Sequence, residues 1–441
     1  MLSSLFDDHI RIQRRRTDAA LAACGFEALA IYAGGPHMRF LDDQPYPFQP
    51  NPHFKLWAPL ADAEDCWIIY RPARPLRLIF LQPLDYWHQP PAMPQGHWTG
   101  HFDFEVIRTR TQAKDHFAGI RHCAFIGEWR MEFAAWGFTA VNPDDLLDRL
   151  HYPRAIKTAY ELECLRRASL RAACGHRAAE ARFRAGGSEY DIHISYLQAT
   201  AHTDSELPYP NIVALNGNAS ILHYQNQERQ RPASLHSFLL DAGAQVHGYA
   251  ADVTRTYSGQ QDDFAQLIDS MHVLQRALCA QVRAGADYTD IHLDMHLRIA
   301  GLLREADLIS VSATQAVESG LSSVFIPHGA GHLLGLQVHD VAGLQISAEG
   351  RRKPPPDAHP YLRLTRILEP GFVVTIEPGL YFIELLLKEA RAGARGRDIN
   401  WPRVEQFRSF GGIRIEDNIA CTTGEPENLT RQAFEATPAA H

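Results

Sequence analysis

An α/β domain over residues 1–155, followed by an α+β domain over residues 156–441, is the architecture that the sequence predicts. Three observations carry it. The chain has 441 residues, more than one hydrophobic core ordinarily organises. Its first third alternates helix-like spacing with short apolar runs that have the length and flanks of sheet strands. From Asn211 onward the strands change character. They are short and apolar but carry isolated acids and histidines, which reads as a curved antiparallel sheet flanked by helices around a polar site.

The elements follow in order. Leu2, Leu5, Phe6 and Ile10 recur at helical spacing, although the run Arg14–Arg16 weakens the pattern beyond them. Ala28–Ala33, Cys66–Tyr70, Leu78–Leu81 and Cys123–Ile126 read as strands. Gln44–Pro52 and Gln82–Gly100, rich in proline and aromatic residues, read as loops. This third shows no catalytic signature. A boundary falls near Pro143–Pro153, after which AIKTAYELECLRRASLRAACGHRAAEARFRAG reads as long helices. Glu163, Arg166 and Arg167 there have the i,i+3 and i,i+4 spacing of an exposed face. The proline-rich Arg351–Pro360 reads as a surface insertion, and the residues from about Thr430 as a frayed tail. No repeat or low-complexity tract is present.

Composition narrows the function classes. Apolar content of 45% with 21% charged residues describes a globular protein in water. The net charge of -8 gives no reason to expect nucleic acid or an anionic membrane as partner. The opening MLSSLFDDHIRIQRRR lacks the apolar run of a signal peptide, and no stretch is long enough to span a bilayer. Seven scattered cysteines without a CxxC pair suit reduced thiols in a cytoplasm.

The chemistry is concentrated in acids placed where strands should bury apolar side chains. Phe238-Leu239-Leu240-Asp241 runs straight into a carboxylate, and Ala250-Ala251-Asp252-Val253-Thr254 carries another. Gly243 to Gly248 suits a turn, so a hairpin would bring both acids to one face. Either acid alone could simply cap a turn, but two buried together are costly without a cation. His328, His332 and His339 lie close together in the glycine-rich PHGAGHLLGLQVHD. A lone histidine would more often be a satisfied core or surface residue, whereas this density suggests a ligand with substrate contacts. Val373–Glu377 is a strand ending in an acid, and Gly412–Asp417 alternates so that Arg414 and Glu416 share a face. A structural salt bridge is the plain alternative for either acid. Taken together, four carboxylates and one imidazole make an oxygen-rich set able to hold two divalent ions, suited to Mn²⁺ or Co²⁺ more than to a sulfur-ligated zinc. HExxH, a phosphate loop and G-x-S-x-G are absent.

The ordered set LLDAG, AADVTRT, PHGAGHLLGLQVHD, TIEPGLYF and GGIRIEDN resembles the metal-dependent prolidases of the pita-bread peptidase superfamily. Their relatives include methionine aminopeptidase, aminopeptidase P and creatinase. The likeness covers nearly the whole chain, and the nearest in pattern are bacterial prolidases, including those described as organophosphorus acid anhydrolases. It implies a pita-bread catalytic domain that hydrolyses Xaa-Pro dipeptides by a metal-bridged hydroxide, with a side activity on organophosphate esters. Asp241, Asp252, His332, Glu377 and Glu416 would hold two divalent ions per subunit, Mn²⁺ first, with Co²⁺ or Zn²⁺ as alternatives. Asp252 and Glu416 would bridge the ions. Glu377 would also move the proton, and His339 would stabilise the oxyanion. His223, His328, Arg363, Arg414, Tyr209 and Val338 would line the substrate site, with Arg363 gripping the dipeptide carboxylate. The resemblance also implies a homodimer, in which Asp42 or Asp43 either reaches the neighbouring subunit's site or is an exposed turn acid. The rival readings are an aminopeptidase P acting on longer peptides and a non-catalytic binding module of the same fold.

Overall fold

Leu2–Cys24 forms one uninterrupted helix of 23 residues. The arginine run does not break it, because Phe6, Ile10, Thr17 and Leu21 keep the inner face buried, while Arg15 is exposed and the half-buried Arg14 and Arg16 donate to the carbonyls of Arg74 and Ile156. The structure is a computed structural model that describes residues 2–437. The chain divides into two compact units, one built on the residues up to Cys164 together with Ile346–Arg351, the other on Leu165–Gln345 and the residues from Arg352.

The first unit contains a six-stranded sheet in the order β4-β3-β2-β1-β5-β6. Its strands are β1 (Ala28–Tyr32), β2 (Trp67–Tyr70), β3 (Leu76–Leu81), β4 (Phe102–Ile107), β5 (Cys123–Ile126) and β6 (Ala140–Val141). The central strands are buried on both faces and read as continuous apolar runs. Trp67 sits at the middle of one face, fully buried, with the rings of Phe117, Phe133 and Trp136 packed on it at centroid distances of 5.2, 4.9 and 5.2 Å.

In the second unit, the C-terminal part of the helix Ala159–Arg184 and the helix Glu189–Thr200 cover one face of the sheet β11-β8-β7. These strands are β7 (Ile212–Leu215), β8 (Ser237–Asp241) and β11 (Thr254–Ser258), with the short hairpin β9 (Gln245–Val246) and β10 (Tyr249–Ala250) between β8 and β11. Gly175 lets the two helices approach, since a Cβ there would lie 2.5 Å from the Tyr196 ring. A second sheet, β12-β15-β16, comprises β12 (Val373–Ile376), β15 (Asp417–Ala420) and β16 (Glu427–Asn428), and the pair β13 (Gly379–Tyr381) and β14 (Gly412–Arg414) lies beside it. Register does the positioning. β8 runs antiparallel to β11 with Asp241 opposite Thr254 and Leu239 opposite Thr256. Phe238 and Leu240 therefore point into the helices, and Asp241 points with Leu239 to the other face. An isolated bridge pairs Thr254 with Glu416, joining the strands that carry the acids.

The tail does not fray at Thr430. Leu429–Ala436 is a helix, capped by Asn428, whose side chain accepts from Arg431 N, and Leu429, Thr430 and Ala433 are buried. No helix among the described residues is long and apolar enough to cross a membrane.

Candidate metal centre

Asp241 and Asp252 arrive from opposite ends of the β9–β10 hairpin. His247 and Gly248 turn it with φ of 53° and 85°. Tyr209 Oη donates to Asp252 Oδ1 at 2.6 Å, and Asp252 Oδ2 lies 3.3 Å from His332 Nε2. Glu416 brings its carboxylate from the bridge next to β15, where Thr254 Oγ1 donates to its Oε2 at 2.7 Å. One ligand atom each from Asp252, His332 and Glu416 lies within 4.8 Å of the other two, and all three residues are buried.

His332 is set by the sheet. Gly331, at φ 149°, lets its segment pack so close to β12 that a Cβ would meet Thr375 O at 2.2 Å. His332 N then donates to Thr375 Oγ1 at 3.1 Å, and Thr375 N to His332 O at 2.9 Å. The His332 Nδ1 lies 2.9 Å from Leu333 O. Donation there leaves the Nε2 lone pair facing the acids, the arrangement a ligating imidazole needs. Glu377, just beyond β12, completes the ring with Oε1 3.6 Å from His332 Nε2 and 3.4 Å from Thr375 Oγ1.

The negative charge is under-answered. Arg414 is 5% exposed and donates to Asp241 Oδ2 at 2.6 Å, to Tyr381 Oη at 2.9 Å and to Thr254 Oγ1 at 3.2 Å. The other oxygen of Asp241, Oδ1, is buried with no hydrogen-bond partner among the described residues. Burial raises the Asp241 carboxyl, with Arg414 opposing and Asp252 adding. Burial likewise pushes Glu377 up to about 7 against the pull of His332. Burial, then the charges of Asp252, Glu377 and Asp241, hold Glu416 well above the carboxylate range. Asp252 alone is lowered: burial would raise it, but the hydrogen bond and charge of His332 prevail. His332 is raised in turn, its acid partners outweighing burial. An oxygen-rich pocket with more carboxylates than cations and an orphaned oxygen fits divalent ions.

The residues expected around the ligands are dispersed. Tyr209 is half-buried and engaged on Asp252. His328 is held at both ring nitrogens, with Nδ1 2.8 Å from Gly329 O and Nε2 2.8 Å from Tyr381 Oη. Burial, then Arg414, lowers it to about 4. His339 is exposed as a residue but packs its ring edge-on to that of His332, centroids 4.4 Å apart, and desolvation lowers it to about 4. Arg363 and His223 are exposed, and both lie near enough for their charges to act on His339. Val338 is half-buried. Arg414 is a partner of Asp241 within the protein, more enclosed than its pairing with substrate residues implies. Thr254, Thr375 and Tyr381 are the orienting residues that the sequence reading did not single out. Each stands beside a ligand motif, in ADVTRT, VVTIEP and PGLYF. In the first unit, Asp42 and Asp43 are exposed, and their carboxylates accept hydrogen bonds from Gln44.

Two family models match the chain: Xaa-Pro dipeptidase, N-terminal domain, over residues 4–152, and metallopeptidase family M24 over residues 163–423. The chain is 48% identical over 437 residues to a Xaa-Pro dipeptidase of Xanthomonas axonopodis pv. citri, covering 99% of both chains. It is 48% identical over 435 residues to the Xaa-Pro dipeptidase of Stenotrophomonas maltophilia, covering 98% of both. Among solved structures, aminopeptidase P from E. coli with the inhibitor Pro-Leu superposes with a TM-score of 0.73 at 21% identity, covering 96% of this chain and 94% of that one. Proline aminopeptidase P II from Yersinia pestis gives 0.72 at 24% identity, with 96% of each covered. At such identities these structures speak for the fold alone.

Proposed function

This chain belongs to metallopeptidase family M24, an N-terminal domain preceding a pita-bread catalytic domain, and from that premise we propose that it hydrolyses Xaa-Pro dipeptides. The observation that carries the reading is the buried, under-compensated acid cluster on a sheet of that fold. We assign Asp241, Asp252, His332, Glu377 and Glu416 as the residues that hold divalent ions, two per subunit and Mn²⁺ first. Bound there, such ions make water a nucleophile near neutral pH and polarise a carbonyl oxygen.

The chain's own residues would do the rest. Glu377 accepts the proton of the attacking water and returns it to the leaving nitrogen. Proline nitrogen bears no hydrogen within the peptide, so the amine cannot depart without that delivery. His339, held against His332, donates to the oxygen that becomes negative in the tetrahedral intermediate. Arg363 offers an exposed guanidinium to the dipeptide carboxylate. Arg414, Thr254 and Tyr209 keep the carboxylates aimed. His223, His328 and Val338 shape the pocket wall. The same site would attack phosphoryl centres slowly, a side activity on organophosphate esters.

We also propose a homodimer, supported by the exposed apolar loop that carries Met38, Phe40 and Leu41, at 57%, 89% and 90% exposure, next to Asp42 and Asp43. A cytoplasmic setting suits the seven cysteines, which form no disulfide among the described residues. The working domain boundary stays at 155/156, just before the helix that starts at Ala159. The deciding assay compares Gly-Pro-type dipeptides with Xaa-Pro tripeptides after Mn²⁺ addition. Dipeptides should be cleaved with the higher kcat/KM, and preference for tripeptides would replace this reading with aminopeptidase P.

A further inference from the structure

The helix Tyr288–Glu305 presents His292 and His296 on one face, four residues apart. A third imidazole, His359 from the proline-rich segment Arg351–Pro360, packs on both. The ring centroids lie 4.8 Å apart for His292 and His296, 4.5 Å for His292 and His359, and 4.4 Å for His296 and His359. One nitrogen from each ring lies within 4.8 Å of the other two. His292 and His296 are each 1% exposed, and among the described residues neither ring nitrogen of His292 has a hydrogen-bond partner. Ser322 Oγ lies 2.9 Å from His296 Nδ1. If the serine oxygen takes that N–H, the Nε2 of His296 keeps its lone pair free and the ring is held in one orientation, as an outer partner does for a ligating histidine.

A plain packing role explains this poorly. Buried polar atoms ordinarily find partners, and His292 leaves both nitrogens without one in a place where a leucine would satisfy the core. Burial, together with the neighbouring imidazoles, lowers His292 to about 2 and His296 to about 3, and burial lowers His359 too. The rings are therefore neutral at pH 7 and need lose no proton to bind a metal.

We propose that His292, His296 and His359 form a tris-imidazole site for one transition-metal ion of the zinc or cobalt kind, separate from the carboxylate centre. An all-nitrogen set suits such borderline ions, whereas the oxygen-rich centre suits harder ones. Bonds of about 2.0–2.1 Å around a tetrahedral ion put ligand nitrogens roughly 3.4 Å apart, so the rings must draw slightly together, and the fourth position is left to solvent. His359 is the half-exposed member and sits on a loop, so it is the one free to close. The ion would fasten to the helix a loop that carries Arg363 four residues further on.

The test uses the full-length Asp252→Asn/Glu416→Gln variant, in which the carboxylate centre is disabled, dialysed against Co²⁺. Elemental analysis should find one cobalt per chain, and the visible spectrum should show the strong bands of a four-coordinate nitrogen site. Adding His292→Leu should abolish both signals. Adding His359→Gln, a change at a half-exposed loop position, should weaken cobalt binding at least tenfold with unchanged circular dichroism. Absence of cobalt from the parent variant, or its retention after His359→Gln and His292→Leu alike, overturns the proposal. Neither result bears on dipeptide hydrolysis, which rests on the other residues.

Discussion

Glu416 and Asp417 are neighbours in sequence and both buried, yet they face opposite sides of one ribbon of sheet. On the Asp417 side every charge is answered. Arg255 Nη2 donates at 2.6 Å, Arg431 Nε lies at 2.8 Å, and Asn428 Nδ2 donates at 2.9 Å. Burial would raise that carboxyl, but Arg255 and Arg431 hold it down to about 2. On the Glu416 side, four carboxylates face the Arg414 guanidinium, the His332 imidazole and a second imidazole, His328, 3.8 Å from Glu377, which burial keeps uncharged at neutral pH. The difference teaches that a buried acid is no signature of a metal site. The signature is a buried acid whose compensating cation is not in the chain.

The sharpest way to break that comparison is to neutralise each acid in turn. Glu416→Gln and Asp252→Asn should each lower metal content and abolish turnover, a loss of at least about 10³ in kcat, while the fold persists, because each removes a like charge from a crowded site. Metal analysis beside kinetics checks this, and full metal loading in Asp252→Asn would refute its ligand role. His339→Ala should keep its metal yet lose an oxyanion donor worth about 3–4 kcal/mol. Loss of metal in that variant would move the ligand assignment away from His332.

Asp417→Asn should do the reverse of Glu416→Gln. Leaving Arg255 and Arg431 without their buried partner should cost about 3–5 kcal/mol of stability, read by chemical denaturation. Unchanged stability would mean that the two faces are not so different. The smallest effect belongs to Arg363→Ala, which should raise KM for free Xaa-Pro about tenfold and leave a C-terminally amidated substrate nearly untouched. Equal penalties on both would make this arginine structural.

How far the sequence could be read follows the same divide. Asp241, Asp252, Glu377 and Glu416 stood out because each interrupts an apolar strand, a local contradiction visible in a window of a few residues. The strand β4 was missed for a related reason: Phe102–Ile107 is an edge strand whose Asp103 and Glu105 dilute its apolar pattern. Pairings across long separations were illegible. Arg166 was read with Glu163 on a helix face, yet its guanidinium makes a bidentate contact with Glu427, Nε and Nη2 each at 2.8 Å. The enclosure of Arg414 could not be read either, since Tyr381 and Asp241 lie 33 and 173 residues away along the chain. His292 and His296 were not singled out either, because only folding brings His359 to them.

The glycine at position 331 has one consequence for time rather than shape. By stitching His332 to Thr375, whose hydroxyl accepts from His332 N and whose N–H donates to His332 O, it makes the imidazole part of a sheet edge instead of a mobile loop. A ligand already waiting in place leaves little chain rearrangement to slow the arrival of an ion. Loading of the empty enzyme should then keep pace with how readily each hydrated ion sheds water, with manganese entering fastest, cobalt next and nickel far behind. Stopped-flow loading that ran at one common rate for all three would instead point to a gate in the protein.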